Sequence, residues 1–343
     1  MNDYVTLNCY KSFKCTNKEC SDNCCIGWEI DVDNKTLKFY KTLTGPLAKR
    51  LEGNIENSGT CHFIMDDKGR CPFLNKDNLC DIILELGEDK IPYICKNHPR
   101  FYTWLSERTE MGIGLACEEG ARLLCEENNL HIINQSSYSK TLEDALILAR
   151  DTAIFIIKNK EVNFFERLLI LDEFAKEIDD LLFFEEVDEI IEKAEFYKGV
   201  TDFIKYENAS GYGELNKSDF IKIFKELEPI NRKWEEYIDR LICDTKSIKN
   251  KDIRKFLKEN EKRYENISVY FIFRYFLKAL EDMDLISKVK LCTASVIFIL
   301  TADFNEYEKN GSLQGFANAV MYSKEVEYSD ENLNYLYKRL SEI

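Results

Sequence analysis

The stretch Thr141-Leu-Glu-Asp-Ala-Leu-Ile-Leu-Ala-Arg-Asp-Thr-Ala-Ile-Phe-Ile156 divides the chain into two textures. Thr141 with Asp144 three positions on has the form of a helix N-cap, where a hydroxyl satisfies an early backbone N–H. Leu142, Ala145, Leu146, Ala149, Ala153 and Ile156 then fall at helical spacing and give the segment one apolar face. Phe165, Leu168, Leu169, Phe174, Ala175 and Ile178 repeat the rhythm. Helical patterns continue over roughly 185–198, 218–227, 231–243, 251–260, 266–281, 285–302 and 329–341. Asn208 to Gly213 reads as a loop. No βαβ rhythm and no repeat of solenoid length is present. The spacing therefore predicts an all-α bundle over 131–343.

Upstream, residues 1–130 hold eleven of the thirteen cysteines and four of the five prolines. Short apolar runs break at Asp67-Lys68-Gly69 and Lys76-Asp77-Asn78, which read as turns. Trp28 to Asp33 alternates apolar and acidic residues and predicts a short strand, followed by a helix through Leu37, Tyr40 and Leu43. The expected fold is mainly α: a cysteine-rich region of short helices and loops over 1–130, then the helical bundle.

The 343 residues suffice for one large domain or two ordinary ones, and the 45% hydrophobic fraction supports a sizeable core. The net charge of −15 disfavours a phosphate backbone as partner and favours a lysine-bearing protein. The N-terminus lacks the apolar run of a signal peptide, and Ala294 to Ala302 is too short to span a bilayer. A cytoplasmic protein with no membrane partner is expected, and its thiols stay reduced there.

That setting turns the cysteines toward metal binding. Cys15, Cys20, Cys24 and Cys25 form one group, and Cys71, Cys80, Cys95 and Cys117 a second. Four thiolates would close a [4Fe–4S] cluster or a tetrahedral zinc site, and the spacing is compatible with both. The CxxxCxxC motif of radical enzymes that cleave S-adenosylmethionine fits Cys20 and Cys24 but fails at Gly27. His98 reads more readily as a turn residue before Pro99 than as a ligand.

The order Cys20-x3-Cys24-Cys25-x2-Trp28, Gly69-x-Cys71-Pro-Phe-Leu-x4-Leu79-Cys80, Cys95-x3-Pro99-Arg100 and Cys117-Glu-Glu-Gly-Ala-Arg resembles that of the flagellin lysine-N-methylase (FliB-type) family. The front part also resembles small proteins described as zinc- or iron-chelating. Tyr270-Phe-Ile-Phe-Arg-Tyr-Phe276 and Tyr322-Ser-Lys-Glu-Val-Glu-Tyr328 extend the resemblance toward the C-terminus. His98 departs from it, standing where the family more often has tyrosine. The resemblance implies methyl transfer from S-adenosylmethionine to lysine side chains of flagellin, and an iron–sulfur cluster.

No glycine-rich strand–turn–helix marks a cofactor site. Arg274 is the candidate for the cofactor's carboxylate, and Tyr322 and Glu327 are candidates for the sulfonium and the amine. Each also has an ordinary reading: a helix-face arginine, a packed tyrosine, a solvated glutamate. Two other functions fit the cysteines alone, a non-catalytic metal-binding interaction module and a redox-sensing iron–sulfur protein.

Overall fold

The computed structural model describes residues 4–16, 19–21, 23–56, 59–135, 140–199, 212, 215–230, 233–313 and 315–342. The fold is mainly α, and each of the three sheets among the described residues is a two-stranded antiparallel pair. Thr141 caps the helix Leu142–Lys158, its hydroxyl accepting from the Asp144 N–H. This helix packs on Phe164–Phe183 and Val187–Gly199. The helix Leu285–Asn310 runs against Phe164–Phe183, Asn250–Tyr275 and Asp330–Ser341. By length and composition Leu285–Asn310 could cross a membrane, but 89% of its apolar window is buried inside the protein, so it is the core helix of the bundle.

Several expectations change. The patterns over 251–260 and 266–281 belong mostly to one helix, Asn250–Tyr275, with a kink at Asn260, whose side chain donates to the Phe256 carbonyl. The last residues of that span form a 3-10 turn and a separate short helix, Ala279–Asp282. A further helix, Ala317–Val326, has no side-chain cap and so left no start signal in the sequence. The loop expected from Asn208 to Gly213 lies outside the described residues except for Tyr212.

Trp28 to Asp33 is not a strand. Its alternation is kept, with Ile30 and Val32 buried and Glu29 and Asp31 exposed, but the ladder stops at one Asp31–His62 bridge. His62–Phe63 pairs instead with Ile55–Glu56. Asp33 then caps the helix Asn34–Tyr40, accepting from the Thr36 N–H.

Two hydrophobic cores result. The smaller holds Ile30, Val32, Leu51, Phe63, Phe73 and Ile82. The larger takes in the bundle together with Leu7 to Phe13 and Met111 to Leu130. Residue 130 therefore ends the cysteine-rich stretch, while the cores part around the segment near residues 30–82.

Candidate metal and active site

Backbone pairing gathers the cysteine segments. The Cys71 N–H donates to the Cys25 carbonyl at 2.9 Å, and the Gly27 N–H to the Gly69 carbonyl at 2.9 Å. A tight turn, closed by the Asn75 N–H to the Leu79 carbonyl at 2.9 Å, returns the chain from Cys71 to Cys80. Asn75 Oδ1 accepts from the N–H groups of Asp77 and Leu79 and stiffens this turn.

A β-hairpin performs the same service for Cys95 and Cys117. Arg100–Trp104 pairs with Thr109–Ile113, so the chain on either side of it meets at one end. The Gly114 N–H extends the contact to the Pro99 carbonyl at 2.7 Å. Gly112 has to be glycine here, since a Cβ would stand 2.2 Å from the Phe101 ring. Glu118, one residue past Cys117, accepts from the Ser21 N–H and hydroxyl, both at 2.9 Å, and so ties the first cysteine segment to the last.

All eight cysteines singled out in the sequence line one cleft of about 1910 Å³: Cys15, Cys20, Cys24, Cys25, Cys71, Cys80, Cys95 and Cys117. Within it Cys24, Cys25, Cys71, Cys80 and Cys95 lie in one another's electrostatic field, with Cys20 beside Cys117. The hydrogen bond its S–H donates to Cys24, burial and the neighbouring sulfurs push the Cys25 thiol up. Burial pushes Cys71 and Cys117 up to about 11. Crowded, buried thiols of this kind give up their protons when a cation compensates the charge, and thiolates are the donor type a thiophilic metal takes. Among the described residues no group of three or more cysteine, histidine or carboxylate side chains is placed to hold a metal ion.

The other cysteines stand apart. Cys9, Cys125 and Cys292 are buried in the larger core, Cys61 is half-buried against the smaller one, and Cys243 is exposed on the helix Lys233–Thr245.

The cleft wall carries an aromatic cluster. The Trp28 ring centroid lies 4.8 Å from that of His98 and 5.1 Å from that of Tyr328. The Trp28 indole N–H donates to the Cys24 carbonyl at 2.6 Å. Burial, with Lys324 nearby, holds His98 down at about 4, so its ring is neutral at neutral pH. Seven carboxylates, Glu29, Asp330 and Glu331 among them, line the cleft against three lysine or arginine side chains, counting described residues.

Arg274 and Glu327 meet directly behind this wall. The Arg274 Nε lies 3.2 Å from Glu327 Oε1, and Nη1 donates to the Tyr270 hydroxyl at 2.7 Å. Tyr270 and Tyr275 donate to the same carboxylate at 3.0 and 2.9 Å. The Leu115 N–H reaches the Tyr270 hydroxyl, and Arg274 stacks on Phe101. This network thus joins the helical bundle to the loop that carries Cys117. Tyr322 lies deeper, fully buried among Phe224, Phe271 and Phe298, with its hydroxyl 2.6 Å from Ser295. None of these three residues lines the cleft, whereas Tyr328, one residue past Glu327, does.

Comparison with known proteins places this architecture. The FliB lysine N-methylase C-terminal domain family matches residues 150–343. The chain belongs to that family. It is 28% identical over 137 residues to the flagellar biosynthetic protein FliU of Salmonella muenchen, covering 37% of this chain and 80% of FliU. It is 26% identical over 142 residues to a lysine-N-methylase of Salmonella typhimurium, covering 39% of this chain and 35% of that enzyme. A lysine-N-methylase of Salmonella choleraesuis matches to the same extent. The matched stretch is thus about a third of the length of those two enzymes. No solved structure matches.

The family match covers the bundle with Arg274, Tyr322, Glu327 and Tyr328, while the cleft takes most of its lining from residues before 150. Sequence reading found the thiols because cysteines count themselves. Trp28 and Tyr328 stand at the edges of their motifs, and an aromatic residue there is the signal the sequence offers for the cleft wall.

Proposed function

We propose that the chain is an S-adenosylmethionine-dependent protein-lysine N-methyltransferase that acts on flagellin, with a thiolate metal site in its cleft. One observation carries the reading: in a chain of the lysine N-methylase family, eight cysteines converge on a single acidic-rimmed cleft. The names of the relatives point to lysine methylation and to the flagellum.

The inner thiols Cys24, Cys71, Cys80 and Cys95 are the first choice of ligands, with Cys25 as their neighbour and Cys20 and Cys117 toward the other side. A [4Fe–4S] cluster, or zinc in its place, would cross-link four chain segments there. S-adenosylmethionine supplies an electrophilic methyl group when bound.

The protein's own residues have three tasks. The first is to draw in a cationic segment, and the carboxylates on the rim are suited to that. The second is to deliver the amine uncharged. At pH 7 roughly four in ten thousand free lysines are neutral, and withdrawal from water on binding raises that share by penalising the ammonium. The third is alignment, for which the wall must be rigid. Glu327 and Arg274 serve that end as positioning residues, since their buried pair fixes the backbone that carries Tyr328. Tyr322 braces the helix Ala317–Val326 from the core. A cytoplasmic setting, where flagellin is made and thiols stay reduced, goes with this reading.

The test is incubation of anaerobically purified protein with flagellin and S-adenosylmethionine, read by intact mass. Mass gain in single-methyl steps that needs the cofactor is the expected result. An unchanged mass, with metal present in the protein, would overturn the reading.

A further inference from the structure

Trp28, His98 and Tyr328 come from three distant segments and meet on the cleft wall. Two features mark them as more than packing. Lys324 lays its Nζ over the Trp28 ring, 5.6 Å from the centroid, and its charge reaches His98. His98 Nε2 is buried and has no hydrogen-bond partner among the described residues. A large aromatic face thus already holds an ammonium group, beside a polar nitrogen left for a ligand.

We propose that the Trp28–His98–Tyr328 cluster is the subsite for the lysine head group of the substrate, and that Lys324 occupies it until a substrate lysine arrives. The inference rests on the methyltransferase reading and assigns the amine end of that site. An indole face attracts ammonium through its quadrupole, an attraction that does not require N–H groups. It therefore survives methylation, whereas hydrogen bonds from the amine are lost with each added methyl. Tyr328, 39% exposed, leaves the cluster open to the cleft. Asp330 and Glu331, two and three residues further on, also line the cleft and attract the segment that bears the lysine. The chemical class is a lysine side chain in an unstructured or exposed segment, in any methylation state.

A short peptide carrying one trimethyllysine is the probe, because it binds without reacting. Its affinity for the full chain, metal retained, is measured by calorimetry, with a norleucine peptide as control. Trp28→Ala is expected to weaken binding by about three- to thirtyfold, the range of a cation–π contact. Trp28→Phe, which keeps a ring, should fall between and guards against a folding defect. Lys324→Met should strengthen binding about twofold or more by emptying the subsite.

Equal affinity in wild type, Trp28→Phe and Lys324→Met would overturn the proposal, as would equal binding of the norleucine peptide. The methyltransferase reading fails separately. Trp28-dependent binding with no methyl transfer to flagellin would leave a methyl-lysine-binding site and remove the enzyme. Methyl transfer whose KM ignores both Trp28→Phe and Lys324→Met would keep the enzyme and remove the subsite.

Discussion

Replacing Arg274 by methionine separates a structural role from a ligand-binding one. The Glu327 carboxylate is buried, and Arg274 is the cation that contacts it, through Nε at 3.2 Å. Burial pushes the Tyr270 and Tyr275 phenols well up, so both remain donors to Glu327. Without Arg274 two phenols would face a buried charge that no other cation among the described residues is seen to pair with. Breaking a buried pair by removing one partner costs about 3–5 kcal/mol. For a chain of this length that corresponds to a drop in Tm of about 4–7 °C. The double variant Arg274→Met with Glu327→Gln removes the stranded charge and should recover about 1–3 kcal/mol relative to additivity. Thermal unfolding followed by circular dichroism reads the stability, and calorimetry reads S-adenosylmethionine affinity on the same samples. The positioning role predicts that stability falls most and that ligand affinity changes through it. An Arg274→Met protein as stable as wild type but unable to bind the cofactor would refute the reasoning and make Arg274 a direct ligand.

Other consequences follow from the same geometry. Tyr322→Phe should cost about 1–2 kcal/mol through the lost bond to Ser295 and leave methyl transfer intact; lost turnover at unchanged stability would give Tyr322 a direct role. Cys24→Ser or Cys80→Ser should release metal, as measured by elemental analysis, while Cys243→Ser should not. Full metal retention in the first pair would remove those two residues from the ligand set. Burial holds His98 at about 4, below its usual 6.5, so the unfolded chain takes up this proton first as pH falls. The stability from its neutral ring is complete above about pH 6.5 and is lost as the pH drops toward 4. Urea midpoints between pH 7 and 4.5 should therefore fall more steeply for wild type than for His98→Phe, and parallel slopes would count against the buried neutral ring.

Much of the bundle was legible because helical spacing and caps are local. Thr141 and the apolar face of Leu142 to Ile156 mark the start of the helix Leu142–Lys158 within one residue. Ala317–Val326 was not legible, because Phe316 supplies no capping side chain. The Trp28–Asp33 alternation correctly gave which side chains are buried, but pairing length depends on a partner that sequence does not show, and His62–Phe63 was engaged elsewhere. The thiols announced themselves by residue type, whereas the hairpin that unites Cys95 with Cys117 is a tertiary fact. Charge and aromaticity drew attention to Arg274, Glu327 and Tyr322, yet these properties do not say whether a side chain faces a cleft or backs it. The Arg274–Glu327 contact, 53 residues apart in sequence, required the packed bundle. Tyr328, adjacent to Glu327, is the residue that faces the cleft.

The most direct test of the central claim is the mass of flagellin after incubation with anaerobically purified, metal-loaded protein and S-adenosylmethionine. The account predicts mass increments of whole methyl groups on lysine, absent without the cofactor and lost with Cys24→Ser. Flagellin of unchanged mass, from protein that retains its metal and its fold, would contradict it.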